Sequence, residues 1–241
     1  MSNPRQGLLP VFLTVFIDLL GFGIVIPLLP IYAQDFGASE FTLGMLFASF
    51  SLMQLIFAPF WGRLSDKIGR KPVLVGGLVG TAGSYVLFGF ADTMPLLFAS
   101  RMLAGFFGAN VATAQAYVAD VTTPEDRAKG MGIIGAAFGL GFTFGPLIGG
   151  EMVGIGMGAP GFLAAGLSFV AAIIGMIRLQ EPERHRPDAT RRFGFDTVVE
   201  AFRLRKSGTI LLLYFLGILA FSGFEAMFIK FGLDRFPQVF G

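Results

Sequence analysis

An aspartate in the middle of a long apolar segment is the side chain of this sequence best placed to do chemistry. Asp18 lies about halfway along residues 8–29, and Thr14 and Gly21 share its helical face. A carboxylate at the centre of a membrane helix costs roughly 2.5–3.5 kcal/mol on insertion scales, so we expect it to face a cavity or a partner. Intramembrane acids often relay protons, and Asp18 is therefore a candidate proton carrier. The alternative is a structural carboxylate that is paired with a polar neighbour.

Arg101 is a second charged residue inside an apolar segment. It begins a stripe of small and polar residues at helical spacing, which continues through Gly105, Gly108, Ala112 and Gln115. Small residues let a neighbouring helix approach closely. We therefore predict that Arg101 points into the bundle and takes part with Asp18 in proton coupling. The alternative is an arginine that snorkels to the membrane surface.

Four further polar side chains at membrane depth could line a substrate cavity: Gln54, Asn110, Gln115 and Glu225. Hydrogen bonds between helices explain the three amides equally well, and Glu225 could instead lie near the outer surface. The chain has no cysteine, and it shows no nucleophile–base set and no cluster of metal ligands. We therefore expect no enzyme activity, no metal site and no cofactor. The single histidine, His185, is expected to be solvated.

These side chains need apolar helices to position them, and the composition provides such helices. The sequence has 241 residues, of which 54% are hydrophobic and 14% charged, whereas soluble domains carry about 25% charged residues. Seven apolar segments of about twenty residues are long enough to cross a bilayer as helices. They are residues 8–29, 41–61, 73–90, 95–118, 130–150, 161–178 and 209–231. The sequence thus predicts an all-α, multi-pass membrane protein.

The charges between these segments predict the orientation. Lys and Arg number one before the first segment, and then none, four, none, two and none in the successive connections, and eight from Arg178 to Lys206. An excess of basic residues in short loops marks the cytoplasmic side. We therefore predict a cytoplasmic N-terminus in a cell inner (plasma) membrane. Since the cations flank membrane segments, they indicate contact with the lipid bilayer and not with nucleic acid.

Composition divides the chain into three parts. Residues 1–178 are predicted to form a bundle of six transmembrane helices. Residues 179–208 form a basic cytoplasmic linker with two prolines, in which residues 195–206 have the apolar spacing of a short amphipathic helix on the membrane surface. Residues 209–241 hold a seventh helix that has no bundle to join. We therefore expect a partial chain whose C-terminal half is missing.

The fifth apolar segment contains a glycine stripe. Gly141, Gly145 and Gly149 are four residues apart, which gives a flat helical face for tight packing. Pro146 has no N–H to donate and is expected to kink the helix, and Gly150 follows the stripe. We interpret this kinked segment as a rocking contact beside another bundle, which also limits leakage. Plain packing is the alternative.

Several of these patterns resemble signatures of the major facilitator superfamily, and within it those of the twelve-helix drug:proton antiporters. Residues 62–71, GRLSDKIGRK, resemble the signature G-x-L-A-D-R-x-G-R-K between helices two and three. The segment that starts at Arg101 resembles the helix-four signature. Residues 141–150 resemble the helix-five antiporter signature G-x-x-x-G-P-x-x-G-G, and the first segment around Asp18 resembles the same drug-efflux group. The tetracycline-efflux proteins are the most similar branch.

The resemblance implies a fold and a function. It implies a six-helix bundle built from two inverted three-helix repeats, followed by a seventh helix that begins the second half of the transporter. It also implies a proton-coupled secondary transporter that exports small organic compounds or drugs by alternating access, with the proton gradient as its energy source. Tetracycline-efflux proteins carry an acid in helix three where this chain has Ser84. The resemblance therefore does not extend to a metal–tetracycline chelate as the specific substrate.

The resemblance further implies a cytoplasmic gate. In this gate Asp66 caps the start of the third helix and pairs with Arg70 and Asp120. The other members of the gate are Gly62, Lys67, Gly69 and Lys71.

Two alternatives to a complete exporter stay open at this point. One is a non-functional or assembly-dependent fragment of such a transporter. The other is a seven-helix receptor, whose N-terminus would lie outside the cell.

Overall fold

A computed structural model describes residues 5–182 and 205–235, and every regular element in these ranges is helical. The α-helices are α1 (Arg5–Val25), α2 (Leu29–Asp35), α3 (Glu40–Ile68), α4 (Arg70–Gly89), α5 (Met94–Phe107), α6 (Asn110–Val121), α7 (Arg127–Val153), α8 (Ala159–Arg178) and α9 (Arg205–Arg235). A short 3-10 turn, Ile26–Leu28, joins α1 to α2. The chain divides into two compact units, Met1–His185 and Arg186–Gly241, and α9 is the described part of the second.

Six segments of the first unit are long and apolar enough to cross a membrane. They are Leu8–Asp35, Glu40–Ile68, Arg70–Gly89, Met94–Val121, Arg127–Val153 and Ala159–Arg178, numbered below as spans one to six. Span one contains α1 and α2, span four contains α5 and α6, and the other spans are single helices. In α9 the apolar part, Gly208–Phe224, is shorter. The predicted all-α membrane class is therefore confirmed.

The contacts among the six spans show an internal repeat. Span one packs against spans five and six, and span four packs against spans two and three. Spans three and six pack against each other. Exchanging spans one, two and three for spans four, five and six leaves this contact pattern unchanged. The pattern is the one expected for two three-helix repeats that are related by a pseudo-two-fold axis.

Two clusters of buried apolar side chains hold the first unit together. One cluster includes Leu78 of α4 and Ala171 of α8. The other includes Tyr85 of α4 and Ala165 of α8. On each of these helices a buried hydroxyl side chain lies between the members of the two clusters, Thr81 on α4 and Ser168 on α8, and the candidate site lies at that level.

Several helix boundaries differ from the sequence prediction. The charged run 62–71 contains the end of α3 and the start of α4, which meet at Gly69, whose φ is +117°. Only glycine adopts such a backbone conformation readily. Span four is interrupted between α5 and α6, whereas the sequence predicts one continuous helix. Helix α9 begins at Arg205, so the last residues of the predicted linker belong to the seventh helix. The predicted amphipathic helix up to residue 204, and His185, lie outside the described residues.

Candidate functional site

The carboxylate of Asp18 lies in a polar layer where four spans meet. Asn110 Nδ2 donates a hydrogen bond to Asp18 Oδ2 at 3.1 Å, and Ser168 Oγ donates to Oδ1 at 3.5 Å. Asn110 Nδ2 also lies 3.3 Å from Thr81 Oγ1. All four side chains are buried, and Asp18 is 9% exposed. These four residues are named the polar layer below.

The interruption of span four explains how Asn110 reaches Asp18. Helix α5 ends at Phe107 and α6 begins at Asn110, so the carboxylate lies beside a helix N-terminus. Backbone N–H groups at a helix N-terminus favour a negative charge. At the interruption Gln54 Nε2 donates to the carbonyl oxygen of Gly108 at 2.7 Å. A side chain of span two thus satisfies a backbone acceptor at the interruption.

The polar layer can hold a proton or release it without breaking an ion pair. The carboxylate of Asp18 accepts hydrogen bonds from an amide and a hydroxyl, which are both uncharged. A buried charge without an ionic partner is costly, so the loss or gain of one proton changes the free energy of the surrounding bundle. Among the described residues there is no group of three or more His, Cys, Asp or Glu side chains that could hold a metal ion.

Arg101 is fully buried in α5, as the sequence analysis predicts for an inward-facing side chain. Its guanidinium carbon lies 5.2 Å from the ring centre of Phe88 and 5.7 Å from that of Tyr85. Its Nη1 and Nη2 atoms have no hydrogen-bond partner among the described residues, and Nε lies 3.5 Å from Ser100 Oγ. The structure records no direct contact between Arg101 and Asp18. The rings of Phe88 and Tyr85 therefore provide cation–π contacts to this buried positive charge.

The other predicted cavity residues occupy different environments. The stripe from Arg101 does not continue along one face, because the interruption at residues 108–109 turns α6 relative to α5. Arg101 is consequently buried and Gln115 exposed. Gln54 and Asn110 each have a partner within the bundle, as the alternative of interhelical hydrogen bonds predicts. The side chain of Glu225 lies outside the described residues.

An ion-pair cluster joins three helices at the end of the bundle that carries residues 62–71, named here the charged end. Arg70 Nη1 lies 2.6 Å from Asp66 Oδ1, and Arg70 Nε donates to Asp120 Oδ2 at 2.9 Å. Arg70 Nη1 also donates to Ser65 Oγ at 2.6 Å. The structure thus brings Asp66, Arg70 and Asp120 together.

The N-terminus of α4 has a different partner from the expected one. Asp66 belongs to the last turn of α3, and the carboxylate that reaches the first N–H groups of α4 is that of Glu181. Among the other predicted gate residues, Gly69 joins the two helices, and Gly62, Lys67 and Lys71 lie on either side of it.

The glycine stripe of α7 packs directly on the backbone of α1. A Cβ atom on Gly145 would lie 2.4 Å from the carbonyl carbon of Gly23, and one on Gly149 would lie 2.7 Å from the carbonyl oxygen of Ile24. Gly141 meets Leu19 in the same way. Gly150 has open space around it, and α7 runs through Pro146 from Arg127 to Val153.

Sequence reasoning missed three residues of these sites. Thr81 and Ser168 are common hydroxyl residues in apolar helices, and nothing in their spacing marks them. Glu181 stands directly before a proline in a connecting segment that reads as solvated. Thr81 and Ser168 lie beside Asp18, and Glu181 beside Arg70, only because of tertiary contacts, which the sequence alone does not show.

Comparison with known proteins decides the family. A family model described as the Major Facilitator Superfamily matches residues 11–237. This chain belongs to that superfamily. The resemblance identified from the sequence signatures is therefore confirmed.

The relatives are resistance proteins, and a similar structure is that of a transporter. The chain is 36% identical over 241 residues to tetracycline resistance protein, class C, of Escherichia coli, a match that covers 96% of this chain and 60% of that protein. It is 36% identical over 224 residues to multidrug resistance protein 1 of Bacillus subtilis, covering 90% of this chain and 57% of that protein.

The solved structure of the human organic anion transporter MFSD10 (TETRAN) superposes with a TM-score of 0.76 at 26% identity, covering 98% of this chain and 67% of that one. The chain of this superfamily member spans about three fifths of the length of the two resistance proteins.

Proposed function

We propose that this chain forms the proton-binding part of a secondary transporter that exports small organic compounds in exchange for protons. The observation that carries the proposal is the buried carboxylate of Asp18, held by neutral donors from spans four and six. Such an acid deep in a helical bundle is a recurring element of proton-driven transporters. Family membership favours transport over the alternative of a seven-helix receptor.

The polar layer supplies the coupling in this proposal. When Asp18 is charged, the amide of Asn110 and the N-terminus of α6 stabilise it. When Asp18 is protonated, the attraction between the carboxylate and these groups weakens. Since Asn110 begins α6 and Thr81 belongs to α4, a proton on Asp18 alters contacts among spans one, three and four. Arg101 places a positive charge in α5, on the other side of the interruption from Asn110.

The ion-pair cluster is proposed to act as the cytoplasmic gate. The basic loops predict that the charged end lies inside the cell, with the N-terminus on the same side. The side chains of Asp66 and Asp120 are 45% and 35% exposed, and exposed pairs contribute only about 0–1 kcal/mol each. A switch between two conformations needs a bias of only a few kcal/mol. The cluster can therefore hold one state without locking it.

The glycine contact between α1 and α7 is proposed to be the surface on which these spans rock. Backbones that touch through glycines slide with few side chains to reorient. Helix α1 carries both Asp18 and the residues that face Gly145. Movement at this contact would therefore move the proton site.

The substrate class is proposed to be small organic drugs rather than a metal chelate. Two relatives carry the words tetracycline resistance and multidrug resistance in their names. Ser84, the position where the sequence analysis expects an acid in tetracycline-efflux proteins, is buried and donates to the carbonyl of Thr81 at 2.7 Å. It offers no negative charge for a metal ion.

Transport is also proposed to need a second helical half. The coverage of the relatives supports this proposal, as does the division of the chain into a six-span unit and a second unit that contains α9. The linker is then cytoplasmic, and α9 begins the second half. Drug export by residues 1–241 expressed alone would contradict this part of the proposal.

The test of the proposed function is export with and without a proton gradient. Cells that express this chain together with the second helical half are loaded with a fluorescent drug, and the loss of the drug is followed after addition of glucose. We expect export that stops when a protonophore is added and that needs no divalent metal ion. Export that continues at the same rate after the protonophore would overturn the proposal.

A further inference from the structure

The three residues that follow α8 fold back against the charged end of the bundle. Leu179 is buried, with 2% of its surface exposed. The hydroxyl of Tyr117 donates to the carbonyl oxygen of Gln180 at 2.8 Å. The next residue, Glu181, reaches α4: the backbone N–H of Arg70 donates to Oε1 at 2.6 Å, and that of Lys71 donates to Oε2 at 3.1 Å. Residues 179–181, named here the return segment, are therefore fixed at three successive positions.

The start of α4 is shaped to accept this carboxylate. Its N-cap residue is Gly69, which has no side chain with which to cap the helix. A Cβ atom at Gly69 would lie 2.5 Å from Glu181 Oε1, so any other residue would displace the carboxylate. An acceptor at a helix N-terminus satisfies N–H groups that have no partner within the helix. Glu181 supplies that acceptor from 111 positions further along the chain.

Arg70 connects this cap to the ion-pair cluster. Its backbone N–H is held by Glu181, while its guanidinium group contacts Asp66 and Asp120. Because Arg70 is the first residue of α4, fraying of this helix end would move its side chain away from both acids. The chain continues from Glu181 into the segment that leads to α9.

We infer that Glu181 is a positioning residue for the ion-pair cluster: it holds the start of α4 in place and ties the cluster to the return segment after α8. The inference rests on the proposed function only in regarding the ion-pair cluster as a gate.

A single introduced cysteine can report on the start of α4, because the chain has no cysteine of its own. Val73 lies in the first turn of α4 and is buried, so Val73→Cys reacts with a water-soluble maleimide only when this end of the helix opens. Adding Glu181→Gln should raise the reaction rate about fivefold, the effect expected for a weakened helix cap. An unchanged rate would overturn the inference.

Two controls separate this effect from general changes. Asp126 is the N-cap residue of α7, and its side chain makes no capping hydrogen bond, so Asp126→Asn should leave the rate unchanged. A second reporter, Ala164→Cys, is placed at a fully buried position in the apolar cluster that includes Tyr85. Its rate should not respond to Glu181→Gln. An equal rise at both reporters would mean global unfolding and would overturn the inference.

A positioning role also predicts coupling between Glu181 and Asp120, for which the structure records no direct contact. Asp120→Asn should raise the Val73→Cys rate in the parent chain, because Arg70 loses a partner. In the Glu181→Gln background that rise should shrink by about half or more, since Arg70 is already displaced. Additive effects would show that Glu181 only caps α4 and would overturn the positioning role. None of these readouts measures transport, so their failure would leave the proposed proton coupling untouched.

Discussion

At the scale of single residues, the account depends on how Asp18 is held. Its carboxylate receives a hydrogen bond from Asn110 at 3.1 Å and a longer one from Ser168 at 3.5 Å. Hydrogen bonds weaken with distance and stop contributing beyond about 3.5 Å. Asn110 is therefore the stronger partner of the two, and it also connects the carboxylate to the interruption in span four.

This difference predicts a ranking of two variants. Asn110→Leu should lower the free energy of unfolding of the purified protein by about 1–2 kcal/mol, because a buried carboxylate loses its main hydrogen-bond donor. The same substitution should impair proton-coupled export. Ser168→Ala is the matched comparison on the other oxygen and should have the smaller effect on both. Melting curves in detergent and export assays measure the two quantities. A larger loss from Ser168→Ala would contradict the described geometry.

Residue types and depth predict some of this site from the sequence, and tertiary contacts account for the rest. Asp18 and Arg101 stand out because charges are rare in apolar segments. Thr81 does not, since its role depends on a neighbour 29 positions away in the chain. Glu181 is harder still to predict, because its partners are backbone N–H groups, which every residue other than proline has.

At the scale of the elements, the interruption of span four distinguishes the structure from the sequence prediction. Hydrophobicity alone makes residues 95–118 look like one helix, and Gly108 reads as part of a packing stripe. In the structure the helix stops at Phe107 and begins again at Asn110. Freed backbone groups at membrane depth need partners, and Gln54 provides one.

The role of Gln54 can be tested against a second amide. Gln54→Leu should destabilise the protein by about 1–2 kcal/mol, because the carbonyl of Gly108 loses its donor in a half-buried setting at membrane depth. Gln115→Leu, which replaces an exposed amide of span four, should change stability by less than about 0.5 kcal/mol. The readout is the melting temperature in detergent. Equal effects from the two substitutions would show that Gln54 does not support the interruption.

The contact between α1 and α7 predicts that two glycine-to-alanine substitutions in α7 have different effects on stability. Gly145→Ala should destabilise the protein by about 2 kcal/mol or more, because the new Cβ atom would meet the backbone of Gly23 at 2.4 Å. Gly139→Ala has open space around it and should be neutral or stabilise by up to about 1 kcal/mol, as for glycine in a helix interior. Thermal unfolding distinguishes the two. Destabilisation by both would mean that helix geometry and not the α1 contact decides the outcome.

At the scale of the whole molecule, the sequence predicts more of the structure than it does for single residues or single helices. Hydropathy places six spans whose limits agree with the structure to within about three residues, since the bilayer dictates their length. The exceptions are the ends of spans one and two, which extend to Asp35 and Ile68 where the prediction stops at residues 29 and 61. The repeat of spans one to three in spans four to six emerges only from their contacts. Charge asymmetry between alternate loops is the basis for the proposed orientation.

The orientation can be measured with single cysteines in this cysteine-free chain. Lys67→Cys lies in the charged run and Asp92→Cys lies between spans three and four. In intact cells an impermeant maleimide should label Asp92→Cys and leave Lys67→Cys unlabelled until the membrane is opened. The reverse pattern would place the charged end outside and would contradict the proposed cytoplasmic gate.

The central claim is that the buried carboxylate of Asp18 carries the protons that drive export. The most direct measurement is proton movement driven by a drug gradient in sealed vesicles that contain the purified transporter. Asp18→Asn should abolish this proton movement, whereas Asp92→Asn, which removes an exposed acid outside the spans, should leave it at the parent rate. Drug-driven proton movement that persists undiminished in Asp18→Asn would contradict the account.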